Sequence, residues 1–97
     1  MHIDEPASDL GIALALISSL TNRLIPDDLI AIGELGLSGE CRGVANVEQR
    51  VREAARLGFT KAVIPTHNLS HCAEISGIRL LPAKNVYDIL KFLKDPN

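Results

Sequence analysis

The sequence predicts a single α/β (α+β) sandwich spanning residues 1–97. Three observations lead there. Short apolar runs of strand length alternate with segments of helical spacing, the pattern of helices packed on a sheet. Hydrophobic residues make up 46% of the chain and charged residues 23%, enough for a packed core and a solvated surface, which argues against disorder. No internal repeat, linker or low-complexity stretch divides the 97 residues, so one domain is expected.

The first helix is expected over Pro6 to Leu20. Pro6 suits a first helical turn, and Asp4, Glu5 and Asp9 complement the positive end of the helix dipole. The stretch from Leu10 to Ile17 is apolar on every face, so this helix is expected to need protein on all sides. Pro26-Asp27-Asp28 reads as a turn and Leu29 to Ile32 as a short buried strand. Leu35 to Arg42, punctuated by Gly36 and Gly39, reads as a hairpin. Asn46 with Gln49 resembles a capping box, and Val47, Val51, Ala54, Ala55 and Gly58 follow at helical spacing. Gly58 stands where a left-handed C-terminal residue belongs. Lys61 to Pro65 is a further strand, Thr66 to Gly77 a loop with a helical turn near 69–72, and Arg79 to Leu81 a brief strand. Asn85 then caps a last helix with Val86, Ile89, Leu90 and Leu93 on one side.

Charge is unevenly spread. The chain carries −2 overall, but residues 1–40 hold −6, residues 41–61 hold +3, and the remainder +1. The basic segment consists of Arg42, Arg50, Arg52, Arg56 and Lys61 against Glu48 and Glu53. Arginines so placed could grip phosphates without reading bases. A solvated helix face explains them equally well, since Glu48 and Arg52 form an ordinary i,i+4 pair. Aromatic residues at 3% are too few for modules that stack single-stranded bases on rings.

Other chemistries have less support. His67, His71 and Cys72 cluster, but no second ligand pair at metal-site spacing accompanies them, and no metal site is expected. Ser8 lies in a first helical turn, where N–H groups could hold an oxyanion, but it also suits simple capping. Gly33, Gly36, Gly39 and Gly43 precede no Lys-Ser/Thr pair, so they read as turn and bulge glycines rather than a phosphate loop. The two cysteines have no paired spacing, and the longest apolar run falls far short of a membrane span. A reduced cytoplasmic setting without membrane attachment is expected.

Three segments together carry a resemblance. They are Asp4-Glu5-Pro6-Ala7-Ser8-Asp9-Leu10, then Gly33-Glu34-Leu35-Gly36-Leu37-Ser38-Gly39-Glu40, then Arg50 to Phe59 followed by Lys61 to Pro65. In this order they resemble the proteolytic domain of Lon and, more closely, the C-terminal Lon-like domain of the RadA (Sms) family of bacterial DNA repair proteins. The likeness runs from Ile3 to about Leu93. It implies the Lon proteolytic-domain fold, which is ribosomal protein S5 domain 2-like, with the family's first strands lying ahead of Met1. Lon proteases use a Ser–Lys dyad. Aligned on the first segment, the Ser position is Ala7; aligned on the second, the Lys position is Glu48. Alanine has no nucleophile, and a carboxylate cannot supply a neutral amine as base. Ser8 lies about 100° further round the helix. The resemblance therefore implies a domain without protease chemistry.

It further implies a place within a longer RecA-type ATPase that drives branch migration of recombination intermediates. ATP, Mg and Zn are expected only in the rest of that parent, and no cofactor in this chain. The implied partners are further copies in a hexameric ring, duplex or branched DNA, and the RecA-type core of the same polypeptide. Spacing nominates Arg42, Arg50, Arg52, Arg56 and Lys61 for the DNA contact. With the first strands ahead of Met1, the apolar first helix is expected to be partly uncovered and the chain to self-associate. Three other readings stand beside this one. One is the Lon-like N-terminal domain of the magnesium-chelatase-like competence protein ComM, which shares the Gly33-Glu34-Leu35 hairpin. Another is an active hydrolase using Ser8 with Lys61 or another base. The third is a plain oligomerisation module with no DNA contact.

Overall fold

A computed structural model of the chain describes residues 9–72 and 75–94. In chain order they form α1 (Asp9–Thr21), β1 (Leu29–Ala31), β2 (Glu34–Leu35), β3 (Cys41–Arg42), α2 (Val47–Arg56), β4 (Lys61–Pro65), a 3₁₀ helix (Thr66–His71), β5 (Arg79–Ala83), α3 (Val86–Ile89) and a 3₁₀ turn (Leu90–Phe92). The N-terminal start expected at Pro6 lies outside the described residues.

The sheet has the order β1-β4-β5 and is parallel throughout. Leu29 stands opposite Lys61 and Ala31 opposite Val63, while Ala62 stands opposite Leu80 and Ile64 opposite Pro82. Because side chains alternate along a strand, the apolar runs serve two cores at once. Leu29, Ala31, Val63 and Ala83 face a core shared with Leu10 and Leu14 of α1 and with Ile89 and Leu93. Ile32, Ala62 and Ile64 face a second core with Val47, Val51 and Ala54 of α2 and with Cys72, Ile75 and Ile78. The result is three layers, with α1 and α3 on one side of the sheet and α2 on the other. β5 runs longer than the brief strand expected, since Pro82 stands within it. As the edge strand, β5 tolerates a residue without an N–H.

The β2–β3 hairpin pairs Glu34 with Arg42 and Leu35 with Cys41. It is tied to α1, whose Leu10 N–H donates to the Gly33 carbonyl at 3.1 Å. Gly33 is required there: its φ is +154°, and an added Cβ would lie 2.8 Å from Cγ of buried Pro65 and 3.2 Å from Leu10.

Two helix ends obey local chemistry and one does not. Gly58, at φ 101°, follows α2 with Gly58 N–H donating to the Ala55 carbonyl and Phe59 N–H to that of Ala54, both at 3.1 Å. That is a Schellman stop. The Asn85 side-chain oxygen accepts from the N–H groups of Tyr87 (3.0 Å) and Asp88 (3.3 Å), so it caps α3 as expected. Asn46 does not complete the expected capping box. It precedes α2 in a left-handed conformation (φ 59°, ψ 35°), its side chain makes no cap hydrogen bond, and it enters the helix through its backbone. A side chain caps from an extended conformation, which the tight turn out of β3 denies to Asn46.

As expected, α1 is partly uncovered among the described residues. Leu10, Ala13 and Leu14 are buried, but Leu16 and Leu20 on the other side are 58% and 84% exposed. Among the described residues the chain supplies cover for one face only.

Candidate nucleic-acid interface

The basic segment is organised by α2. Val47, Val51 and Ala54 are buried against the sheet, which fixes the rotation of the helix. With 100° per residue, Arg52 and Arg56 fall one turn apart on its outer side, while Arg50 is carried round to the other flank. Both outer guanidinium groups are solvated, the Arg52 side chain being 60% and the Arg56 side chain 79% exposed.

Each has an acidic neighbour on the same helix. Arg52 pairs with Glu48 at 3.3 Å and Arg56 with Glu53 at 3.5 Å. Arg50 instead donates through Nε to the carbonyl of Ala45 at 3.3 Å, which holds it against the β3–α2 loop. Arg42, on the hairpin, lies 3.7 Å from Glu40. Lys61, at the opposite end of the sheet strand from that loop, lies 3.9 Å from Asp28. Of the five nominated residues, α2 brings Arg52 and Arg56 onto one strip, while Arg50, Arg42 and Lys61 stand elsewhere around it.

Local hydrogen bonds tune the acids at the margins. Asp28 accepts a hydrogen bond from the Thr60 hydroxyl, which with its own backbone N–H and Lys61 holds its carboxyl below the ordinary value. Glu40 is likewise lowered, first by its own backbone N–H and then by that of Ser38, which donates at 3.0 Å, with Arg42 adding to them.

Beside the first turn of α2 lies an open cleft of about 590 Å³, lined by residues 43–48 with His67 and Asn68. Glu48, which the resemblance led us to expect at the lysine position of a Ser–Lys dyad, lines this cleft with its carboxylate beside Arg52. Ala7, expected at the serine position, and Ser8 lie outside the described residues.

The floor of the cleft holds a residue that the sequence did not single out. Asn68 is the one buried polar side chain among the described residues, at 7% exposure. Its oxygen accepts the Val44 N–H at 2.9 Å and its nitrogen donates to the Val44 carbonyl at 3.1 Å. Nothing in Thr66-His67-Asn68-Leu69 marks Asn68 out beforehand, because its partner lies 24 positions away.

The cysteines are poor reagents. Neither forms a disulfide, both are buried, and burial raises both thiols above the ordinary value, with Glu48 adding to the rise at Cys72 and Asp88 at Cys41. Among the described residues no three His, Cys, Asp or Glu side chains gather as a metal ion requires. The side chain of His71 is not among those described. No helix of the described residues is long and apolar enough to cross a membrane.

A parallel three-stranded sheet between helices, with a short hairpin beside it, defines the chain as a compact α/β domain. It belongs to the family described as subunit ChlI of Mg-chelatase, whose model matches residues 4–68. It is homologous over nearly its whole length to proteins named DNA repair protein RadA. It is 43% identical over 91 residues to RadA of Halalkalibacterium halodurans, covering 94% of this chain and 20% of that protein. RadA of Synechocystis is 40% identical over 87 residues, covering 90% of this chain and 17% of the relative. RadA of Escherichia coli is 38% identical over 95 residues, covering 98% and 20%. The chain thus spans about one fifth of the length of the curated relatives it matches.

Proposed function

We propose that the chain is a non-proteolytic Lon-like domain serving a RadA-type DNA repair protein as a scaffold that assembles copies and contacts duplex DNA. The observation that carries this reading is the outer strip of α2, where Arg52 and Arg56 stand solvated on a helix anchored by Val47, Val51 and Ala54. Their pairs with Glu48 and Glu53 are surface pairs, each worth about 0–1 kcal/mol, so a phosphate can displace the carboxylate at little cost. Arginines one turn apart on a rigid helix suit a backbone contact that positions the domain without reading sequence. Arg42, Arg50 and Lys61, which stand elsewhere around α2, are further candidates for the contact and lie off this strip.

Catalysis has no place in this reading, because the dyad positions hold Ala7 and Glu48. The ATP, Mg and Zn chemistry, and the branch migration it drives, belong to the rest of the parent. The partners of this domain are copies of itself in a ring, duplex or branched DNA, and the RecA-type core, in the cytoplasm.

The test is fluorescence anisotropy with a labelled duplex at low and moderate salt. The expected result is binding that weakens steeply with salt and falls when Arg52 and Arg56 are both replaced by Ala. A folded chain that fails to bind even at low salt overturns the DNA contact.

A second reading has one observation in its favour, the match to the magnesium-chelatase subunit family, and assigns the same fold to a ComM-like ATPase. That match ends at residue 68, whereas the RadA relatives cover 90–98% of the chain. Co-assembly with a RadA ATPase core deprived of its own Lon-like domain, and not with a ComM-like core, favours the first reading.

A further inference from the structure

Arg52 and Arg56 do not stand alone on the outer strip of α2. Glu48 lies one turn ahead of Arg52 with its carboxylate 3.3 Å from the guanidinium, and the Glu53 carboxylate lies 3.5 Å from that of Arg56. We propose that Glu48 and Glu53 are internal competitors for the phosphate contact, occupying the two guanidinium groups until a phosphate displaces them. The inference rests on the DNA-contact reading and names what regulates the strength of that contact.

Three features support it. First, both acids precede their arginines, by four and by three positions, the order in which an acidic and a basic side chain on one helix meet best. Second, the helix cannot turn the acids away. Val47, Val51 and Ala54 are buried against the sheet and fix its rotation. A phosphate that reaches Arg52 and Arg56 therefore also comes up to two carboxylates, whose side chains are 40% and 54% exposed. Third, the charges of Glu48, Arg52, Glu53 and Arg56 cancel, so the strip has no net charge to draw a phosphate in while the pairs hold. Binding is then an exchange. A carboxylate leaves each guanidinium, a phosphate oxygen takes its place, and the freed acid turns to water while still repelling the anion beside it. Solvated pairs of this kind are weak enough to open, yet both must open at every contact.

The test is a double-mutant cycle read by anisotropy with the labelled duplex at low salt. Glu48→Gln and Glu53→Gln together are expected to tighten binding about three- to tenfold, with the circular dichroism unchanged because both side chains are solvated. In the Arg52→Ala background, Glu48→Gln is expected to change affinity by less than about twofold, since the competition needs both partners. The same holds for Glu53→Gln in the Arg56→Ala background. A gain that persists undiminished after Arg52→Ala or Arg56→Ala overturns the proposal, because the acids then act through net charge alone. A doubly substituted chain that binds no tighter than the parent chain overturns it too, and leaves the DNA contact standing. If the parent chain and its Gln variants all fail to bind, the DNA contact itself falls and the inference falls with it.

Discussion

The side-chain amide of Asn68 holds both polar groups of Val44, accepting its N–H at 2.9 Å and donating to its carbonyl at 3.1 Å. It does across a loop what a neighbouring strand does across a ladder, and so pins the β3–α2 connection to the 3₁₀ helix after β4. Gly43 makes room for it, since a Cβ there would meet the Asn68 amide at 3.0–3.2 Å. Asn68→Ala is expected to cost about 2 kcal/mol in urea unfolding, because the Val44 groups lose both partners. Asn68→Asp keeps the acceptor but turns an oxygen toward the Val44 carbonyl, and is expected to cost at least as much.

The glycines Gly33 and Gly58 separate crowding from backbone strain. Both have φ in the region that favours glycine, but Gly33 faces Pro65 at 2.8 Å whereas Gly58 has nothing within 4 Å. Gly58→Ala is expected to cost about 1 kcal/mol, the conformational penalty alone. Gly33→Ala adds overpacking against a buried proline and is expected to cost about 2–4 kcal/mol. Equal costs in thermal or urea unfolding would contradict this account.

The two sides of α1 are expected to respond differently to truncation. Leu14, at 4% exposure, packs in the core beside Leu10 and Val63. Leu14→Ala is expected to cost about 3 kcal/mol, whereas Leu20→Ala in dilute solution stays within about 0.5 kcal/mol of the parent chain.

Acid is expected to destabilise the fold through three carboxylates held below their ordinary values. They are Asp28 beside Thr60, Glu40 beside its own and the Ser38 N–H, and Asp88, which accepts the Lys84 N–H at 2.8 Å with Lys91 nearby. A carboxyl lowered on folding stabilises the native state fully above its unfolded value of about 4, and that contribution is lost as pH falls through the folded value. Stability is therefore expected to be flat from pH 7 to about 5 and to decline below about 4. Thr60→Val removes the largest cause at Asp28, and a shallower decline in that variant is the check.

The double variant of Arg52 and Arg56 to Ala is expected to leave the unfolding midpoint almost unchanged, since both pairs are solvated. Its loss of duplex binding would then report on the contact and not on folding. A large drop in stability would mean that the strip serves the fold.

Much of this fold is legible in the sequence because its determinants are local. Lys61 to Pro65 declares a strand buried on both sides, Gly58 stops α2, and Asn85 caps α3, each through chemistry within a few residues. The arginines of α2 are equally plain, since helical spacing alone puts Arg52 and Arg56 on one side. Other features needed partners distant in sequence. The apolar body of α1 has no periodicity to say which face turns inward, and only the docking of Leu10 and Leu14 on Val63 and Ile89 decides it. Asn46 matches the composition of a cap, but the turn from β3 forces it left-handed. Asn68 acquires its role from Val44, and Pro82 its place from an edge position in the sheet. The sequence by itself determined where the helices and strands lie, because hydrogen bonding and rotamer preference act over one or two turns. The tertiary structure alone decided which faces are buried and which polar groups are satisfied, because burial depends on the shape of everything packed alongside.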